Sequence, residues 1–526
     1  MLVRGEMLIG RASVRGTDSV IRALDPANNA ALEPDFGGGG TAEVERACRL
    51  ADEAFDSYSR TDPEERAQFI EAVGRNIASL GETLVTRVMA ETGLPGPRVE
   101  GEMARTVSQL NLFATVVRKG LWRDATIDAG DPQRKPLPRP DLRMQKIAIG
   151  PVGVFGSSNF PLLYSVAGGD TASALAAGCP VVVKAHGSHL GTSELVGRAI
   201  QKAVSDAGFH EGVYSLLIGE GNAIGEALVD HPAIKAVGFT GSEGGGMALV
   251  RRGQQRSEPI PVFAEMTSVN PSFVLPAALA ARAETFARAF IDQMTIGVGQ
   301  MCLKPGLVLA IEGDGFERLR VALRDALSAR PAATMLSPNI YGGFMHGVER
   351  QQKGSGVTEL GAGSEPAKDL DGQVHVFEVD AGVLLHSMEL ADEVFGPAAL
   401  LVRCRSFDEM LAIAGRLHGQ LTMTLQMEVA DIELAQRLMP VLERRTNRIL
   451  ANGFSNVAEI SYATIHGGPF PATSDSRFTS VGTSAIDRFL RPVCYQNLPP
   501  ELLPPALQDR NPLSLWRIRD GELMQG

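Results

Sequence analysis

Cysteine is scarce in this chain of 526 residues: five, at positions 48, 179, 302, 404 and 494, an odd number with no paired ligand spacing. That argues against a disulfide framework and against a zinc site, and makes a reducing compartment the expected home. Basic charge is in deficit too. With 50 Lys and Arg against 61 Asp and Glu, the net charge is −11, the wrong sign for a nucleic-acid partner. There is no run of about 18 uncharged apolar residues, the length needed to span a bilayer. The first ten residues carry Glu6 within their apolar stretch and lack a signal-peptide layout. The expectation is a cytoplasmic protein with no membrane or nucleic-acid partner and no metal ion. What the chain does have is 44 % hydrophobic against 21 % charged residues, a globular profile, and a length calling for two or three packed units.

Residues 41 to 120 read as a series of amphipathic helices, with Asp62-Pro63-Glu64-Glu65 as one start signal: a side-chain acceptor, a first-turn proline, and a glutamate three residues after the cap. Residues 121 to 142 break this pattern with Asp, Gly and four prolines and read as an excursion. From Gln145 onward, strand-like runs (Ile147–Phe155, Pro180–Val183, Tyr214–Ile218, Ile234–Phe239, Ile260–Phe263) alternate with helix-like ones (Leu163–Ala177, Ser193–Ala207, Ala223–Val229). Such alternation predicts βαβ crossovers and a parallel sheet, which binds ligands at the carboxyl ends of its strands. Beyond about residue 268 a second series begins, with a helix over Ala280–Ile296 and a strand over Leu307–Ile311; the proline-rich tail after Arg488 reads as an arm.

Cys302, in Gly299-Gln300-Met301-Cys302, falls at the junction of that helix and strand. One cysteine is more often packing than nucleophile, but three further motifs change the balance: Asn159 in Ser-Ser-Asn-Phe-Pro, Glu265 in Phe-Ala-Glu-Met, and Glu393 in Glu-Val-Phe-Gly-Pro. In this order they resemble the aldehyde dehydrogenase superfamily over nearly the whole chain. The resemblance implies an α/β fold with two Rossmann-like parallel-sheet domains and a small oligomerisation arm. A dinucleotide-binding domain would use residues 1–129 and 150–267, a catalytic domain 268–479, and the arm 130–149 with 480–526. It also implies NAD(P)-dependent oxidation of a small-molecule aldehyde to an acid through a thiohemiacetal and a thioester. Cys302 matches the nucleophile, Asn159 the oxyanion donor, and Glu265 the base that activates water. Burial at a strand end would raise the Glu265 carboxyl toward neutrality. Glu265-Met266-Thr267-Ser268 departs from the common Glu-Leu-Gly-Gly. His466, in Ile-His-Gly-Gly-Pro-Phe-Pro, resembles a histidine found near the nucleophile in a narrower subgroup.

For the cofactor, Lys184 matches the lysine that bonds the adenosine ribose. Three residues on, where many relatives carry a carboxylate, stands Gly187, beside Ser188 and between His186 and His189. With no acid to repel a 2′-phosphate, NADP is expected over NAD, or both are used, although the stretch has no arginine. Gly238-Phe239-Thr240-Gly241-Ser242 ends a strand and can receive pyrophosphate at the next helix N-terminus, so Thr240, Gly241 and Ser242 are cofactor candidates. Gly219 to Gly225 misses the dinucleotide fingerprint by one residue. The resemblance places the nicotinamide ribose at Glu393 and a ring contact at Phe395. Residues 165–178, 466–475 and 486–496 look like the α-ketoglutaric semialdehyde (2,5-dioxopentanoate) dehydrogenases. A fatty-aldehyde dehydrogenase resembles the same branch, and Leu303 and Ser455-Asn456 depart from it. The alternatives are an enzyme for medium- or long-chain aliphatic aldehydes, an acylating dehydrogenase that hands its thioester to coenzyme A, and a non-catalytic relative. A homodimer or dimer of dimers is expected, since the arm would leave an unpaired sheet edge in a monomer.

Overall fold

The computed structural model describes residues 2–454 and 458–525; Ser455 and Asn456 therefore lie outside the described residues. Four helices fill residues 41 to 119: Thr41–Ser59, Pro63–Ala78, Gly81–Thr92 and Gly96–Lys119. Asp62 caps the second by accepting from the Glu64 N–H at 2.8 Å, with Pro63 in the first turn.

The helices pack on a seven-stranded sheet in the order Val262–Glu265, Ala236–Thr240, Val152–Phe155, Val181–Lys184, Tyr214–Leu217, Met7–Ile9, Ala12–Val14. The first five strands run parallel, and the last two pair antiparallel. Most residues of the parallel strands are buried, with Val, Ala and Leu the commonest among them, as a sheet covered on both faces requires. A second seven-stranded sheet has the order Val357–Ala362, His375–Asp380, Ala398–Cys404, Leu307–Ile311, Pro271–Val274, Met423–Gln426, Ile449–Ala451, parallel except for its first strand.

Two sequence expectations differ from the structure. The run Ile147–Phe155 is two strands in two sheets: Leu142–Ala148 and Val152–Phe155. Gly150, at φ +138°, and Pro151 turn the chain between them. The helix expected over Leu163–Ala177 covers only Gly169–Ala177. The Glu102 carboxylate takes the Leu162 and Leu163 N–H groups at 2.9 Å each and holds that stretch in turns. The tail after Arg488 is built into a sheet: Leu490–Gln496 pairs along its whole length with Leu142–Ala148, in a five-stranded sheet with Thr126–Asp128, Arg517–Arg519 and Glu522–Met524. Proline at 492 is tolerated because Leu490–Gln496 is an edge strand.

Candidate active site

Four adjacent parallel strands of the first sheet deliver the candidate residues at their carboxyl ends. Glu265 ends one strand, Thr240 the next, Asn159 follows Phe155, and Lys184 ends the fourth. Thr240 is in register with Glu265, and Phe155 with Lys184. This is the edge where parallel sheets receive ligands.

Cys302, half-buried, meets that edge from the loop before strand Leu307–Ile311. Its Sγ lies 3.6 Å from His466 Nε2, which in turn lies 2.8 Å from Glu265 Oε1. The second Glu265 oxygen accepts from the Ser480 hydroxyl, and the Cys302 sulfur lies within 4.8 Å of this carboxylate. Glu265 and His466 are 5 % and 1 % exposed, so little water screens them. The Glu265 segment is pinned by the chain that carries His466 and Ser480. Met266 N–H donates to Ala472 C=O, and Ser474 N–H to Ala264 C=O, at 2.9 Å each.

The charges differ from the sequence expectation for Glu265. Burial does push its carboxyl up, but the His466 imidazole and hydrogen bonds from His466 and Ser480 outweigh it and hold the carboxyl below its ordinary range. Cys302 moves the other way. Burial, then the negative charges of Glu265 and Glu393, raise its thiol well above the usual value. At rest the pair is therefore a carboxylate beside a protonated thiol.

Asn159, buried, donates through Nδ2 to the Gln300 carbonyl at 2.9 Å, which sets its amide beside the Cys302 loop. Its turn is held by Glu102 and by His189, whose Nε2 is 2.9 Å from the Ser157 carbonyl oxygen. The Cys302 loop is held by side chains with no local sequence signature. Asn270 Nδ2 donates to the carbonyls of Cys302 and Lys304 at 2.9 and 3.0 Å. Gln420 Oε1 accepts from the N–H groups of Val269 and Asn270. Lys304 Nζ, fully buried, donates to the carbonyls of Val394 and Ala398 at 2.9 and 2.7 Å. Gly299 (φ +66°) packs so tightly on Gly396 that a Cβ would come within 2.4 Å of its carbonyl carbon, so the cysteine loop and the Glu393-Phe395 loop are in direct backbone contact. Glu393 accepts from the Thr267 hydroxyl at 2.6 Å and the Ser268 N–H at 3.2 Å. Thr267 thus ties the Glu265 segment to Glu393, and Phe395 is half-buried two residues further on.

The other cofactor candidates lie along the same carboxyl edge of the first sheet. Lys184 is half-buried at its strand end, and among the described residues no acid is paired with it; burial alone lowers its ammonium. A desolvated cation without a partner is costly unless a ligand supplies acceptors. Gly187 is exposed, with open space where a Cβ would stand. His186 Nδ1 accepts from the Ser188 N–H at 3.2 Å, which leaves Nε2 to carry the ring proton. Burial, then His189 and Lys184, push this imidazole down to about 3. Ser242 caps helix Glu243–Gln255 by accepting from the Gly245 N–H, and that helix N-terminus directly follows strand Ala236–Thr240.

Among curated proteins, the alpha-ketoglutaric semialdehyde dehydrogenase 2 of Azospirillum brasilense is 53 % identical over 523 residues, 99 % of this chain and 100 % of its own. The alpha-ketoglutaric semialdehyde dehydrogenase of Acinetobacter baylyi is 45 % identical, over 92 % of each chain. The crystal structure of lactaldehyde dehydrogenase from Escherichia coli superposes with a TM-score of 0.81 at 19 % identity, covering 94 % of this chain and 99 % of that one, which shows the shared fold. The profile of the aldehyde dehydrogenase family matches residues 14–425. The chain belongs to that family, whose members are NAD(P)-dependent oxidoreductases converting aldehydes to acids.

Proposed function

We propose that this aldehyde dehydrogenase oxidises α-ketoglutaric semialdehyde to 2-oxoglutarate, with NADP preferred over NAD. The observation that carries the substrate is the 53 % identity, over 99 % of the chain, to a protein bearing that name. Lys184, Gly187, Ser188, Thr240, Gly241 and Ser242 would bind the adenosine and pyrophosphate part of the dinucleotide, with Glu393 and Phe395 at its nicotinamide end. The first sheet with residues 1–129 and 150–267 would be the cofactor unit, residues 268–479 the catalytic unit, and 130–149 with 480–526 the arm. The outer edge of strand Leu490–Gln496 offers a surface for a second copy.

In this reading Cys302 Sγ attacks the aldehyde carbon, and its proton passes to the Glu265–His466 pair. The carbonyl oxygen becomes an oxyanion facing the second Asn159 N–H, the first being held by Gln300. NAD(P), when bound, supplies the two-electron acceptor that turns the thiohemiacetal into a thioester. Glu265 then takes a proton from water, the hydroxide attacks the thioester carbon, and Cys302 leaves and regains its proton.

A short substrate with a remote carboxylate suits the surroundings. Phe160, Leu163 and Met301 pack with Tyr164, and Leu303 packs with Tyr164 and Cys302; all four are at most 3 % exposed. Leu162 and Ile465 lie elsewhere, in the core around the first sheet and in a cleft with Lys146 and Phe478. Two half-buried arginines approach this apolar lining. Arg105 donates to the carbonyl of Ala458, itself packed with Leu303. Arg448, whose guanidinium is held below its ordinary range by burial, lies near enough to Tyr164 and Cys302 for them to oppose that shift. Each charge-assisted bond to a carboxylate contributes about 1.5–3 kcal/mol. Arg105→Met or Arg448→Met should therefore lower kcat/KM for the semialdehyde by about 10- to 100-fold and leave a neutral short aldehyde nearly unaffected. In the wild type, kcat/KM for the semialdehyde should exceed that for a medium-chain aliphatic aldehyde; the reverse order makes the enzyme an aliphatic one.

The preference for NADP rests on Gly187 and on the Nε2–H of His186, free to donate to a 2′-phosphate. Gly187→Glu places a carboxylate in that open space, where like-charge contact costs several kcal/mol. NADP affinity should fall by about 10-fold or more, and NAD affinity should hold. Tighter binding of NAD than NADP by the wild type reverses the assignment.

A further inference from the structure

We propose that Cys302, His466 and Glu265 form a binding site for one zinc-like divalent cation, which occupies the nucleophile and inhibits the enzyme reversibly. Each residue offers one ligand atom, and the three atoms lie within 4.8 Å of one another. A tetrahedral zinc with Zn–S of about 2.3 Å and Zn–N of about 2.05 Å separates sulfur from nitrogen by about 3.6 Å. The Cys302 Sγ to His466 Nε2 distance is 3.6 Å. Two ligands therefore already stand at coordination spacing. The third needs a small shift, from 2.8 Å between His466 Nε2 and Glu265 Oε1 to about 3.3 Å around the same ion. The ligands come from positions 265, 302 and 466, so no cysteine or histidine spacing in the sequence announces them.

The electrostatics favour a dication. The carboxylate of Glu265 beside the sulfur and the more distant one of Glu393 make the surroundings negative, which an ion of charge +2 turns into stabilisation. The imidazole is also free to change roles. Its Nδ1 is buried and has no hydrogen-bond partner among the described residues. Shifting the ring proton from Nε2 to Nδ1, to bare Nε2 for a metal, breaks no bond at Nδ1. Binding is Cys–SH plus M²⁺ giving Cys–S–M⁺ and one proton released to solvent, with no redox change. Affinity must accordingly rise with pH. The fourth position would be left to water or to the aldehyde oxygen.

The test uses the full-length enzyme and metal ions alone. Cobalt(II) titrated into the wild type should give a thiolate-to-cobalt charge-transfer band saturating at one ion per subunit. Zinc should abolish that band, inhibit turnover with reversal by EDTA, and protect Cys302 from iodoacetamide. Cys302→Ser should lose the band, and Cys494→Ser, which removes the exposed thiol, should keep it. Glu265→Gln and His466→Ala should each weaken cobalt binding by about 10-fold or more, read spectroscopically and so independently of their effect on turnover. Circular dichroism checks that each variant is folded, and His466→Gln stands in should His466→Ala fail to fold. The proposal is overturned by the absence of a thiolate band in the wild type, by unchanged cobalt affinity in Glu265→Gln and the histidine variant, or by alkylation of Cys302 at the same rate with and without zinc.

Discussion

Cys302→Ser should lower kcat/KM for aldehyde oxidation by at least about 10⁴-fold, the scale on which enzymes lose rate when their nucleophile is removed. The cause is local. A serine hydroxyl is a far weaker acid than a thiol, and it would sit beside the same Glu265 and Glu393 charges that already raise the Cys302 thiol. Neither His466 nor Glu265 could ionise it to a useful degree. The substitution leaves the rest of the site in place, because the loop is fixed through the Cys302 and Lys304 carbonyls and the Lys304 ammonium, not through sulfur. Cofactor affinity, measured by quenching of protein fluorescence or by calorimetry, should stay within about twofold; Lys184 and Ser242 belong to the other sheet, and substitutions away from a contact rarely matter. In the wild type, alkylation of Cys302 should accelerate steadily as pH rises through neutrality, since its thiol lies above the ordinary range. Substantial turnover by the serine variant at saturating NADP would remove Cys302 from the nucleophile's role.

The sequence carried its information in periods and in short motifs, and the structure separates the two kinds. Apolar runs of four to five residues such as Val181–Lys184 and Tyr214–Leu217 were legible because a strand buried on both faces leaves a continuous apolar signature. The helix start at Asp62-Pro63 was legible because capping is a contact between near neighbours. The Ile147–Phe155 run was misread because periodicity cannot say that one apolar stretch serves two sheets; only Gly150 and Pro151 marked the break. The extra turns before Gly169 were invisible because Glu102, some 60 residues earlier in the chain, dictates them. The same reason hid the supports of the site. Ser480 is 215 residues from Glu265, and Gln420 is 150 from Asn270; a polar side chain that acts at such separations has no local pattern. For Glu265 the sign of the shift depended on those hidden partners. Burial could be anticipated from the strand end, whereas the His466 and Ser480 bonds that outweigh it could not.

Glu265→Gln should separate the two halves of the reaction. Acylation needs the Cys302 proton to leave, and His466 Nε2, 3.6 Å from Sγ, can take it once its own ring proton, no longer held by a carboxylate at 265, moves to the unpartnered Nδ1. Removing the Glu265 charge also removes one of the negative charges that oppose ionisation of the thiol, so its pKa should fall toward the ordinary range. The thiolate fraction at neutral pH then rises, and the first turnover should be no slower than in the wild type. Deacylation has no such substitute. The thioester must be met by a deprotonated water, and an amide at 265 accepts a hydrogen bond but not a proton; loss of a positioned general base typically costs about 10²–10⁴ in rate. Rapid mixing of the variant with aldehyde and NADP should therefore give a burst of about one reduced cofactor per active site, followed by a steady state slower by that factor. The accumulated thioester should be visible by mass spectrometry as a mass increase on the peptide containing Cys302. Loss of burst and steady state in equal measure would instead assign Glu265 to activation of the thiol, with His466 left to activate the water.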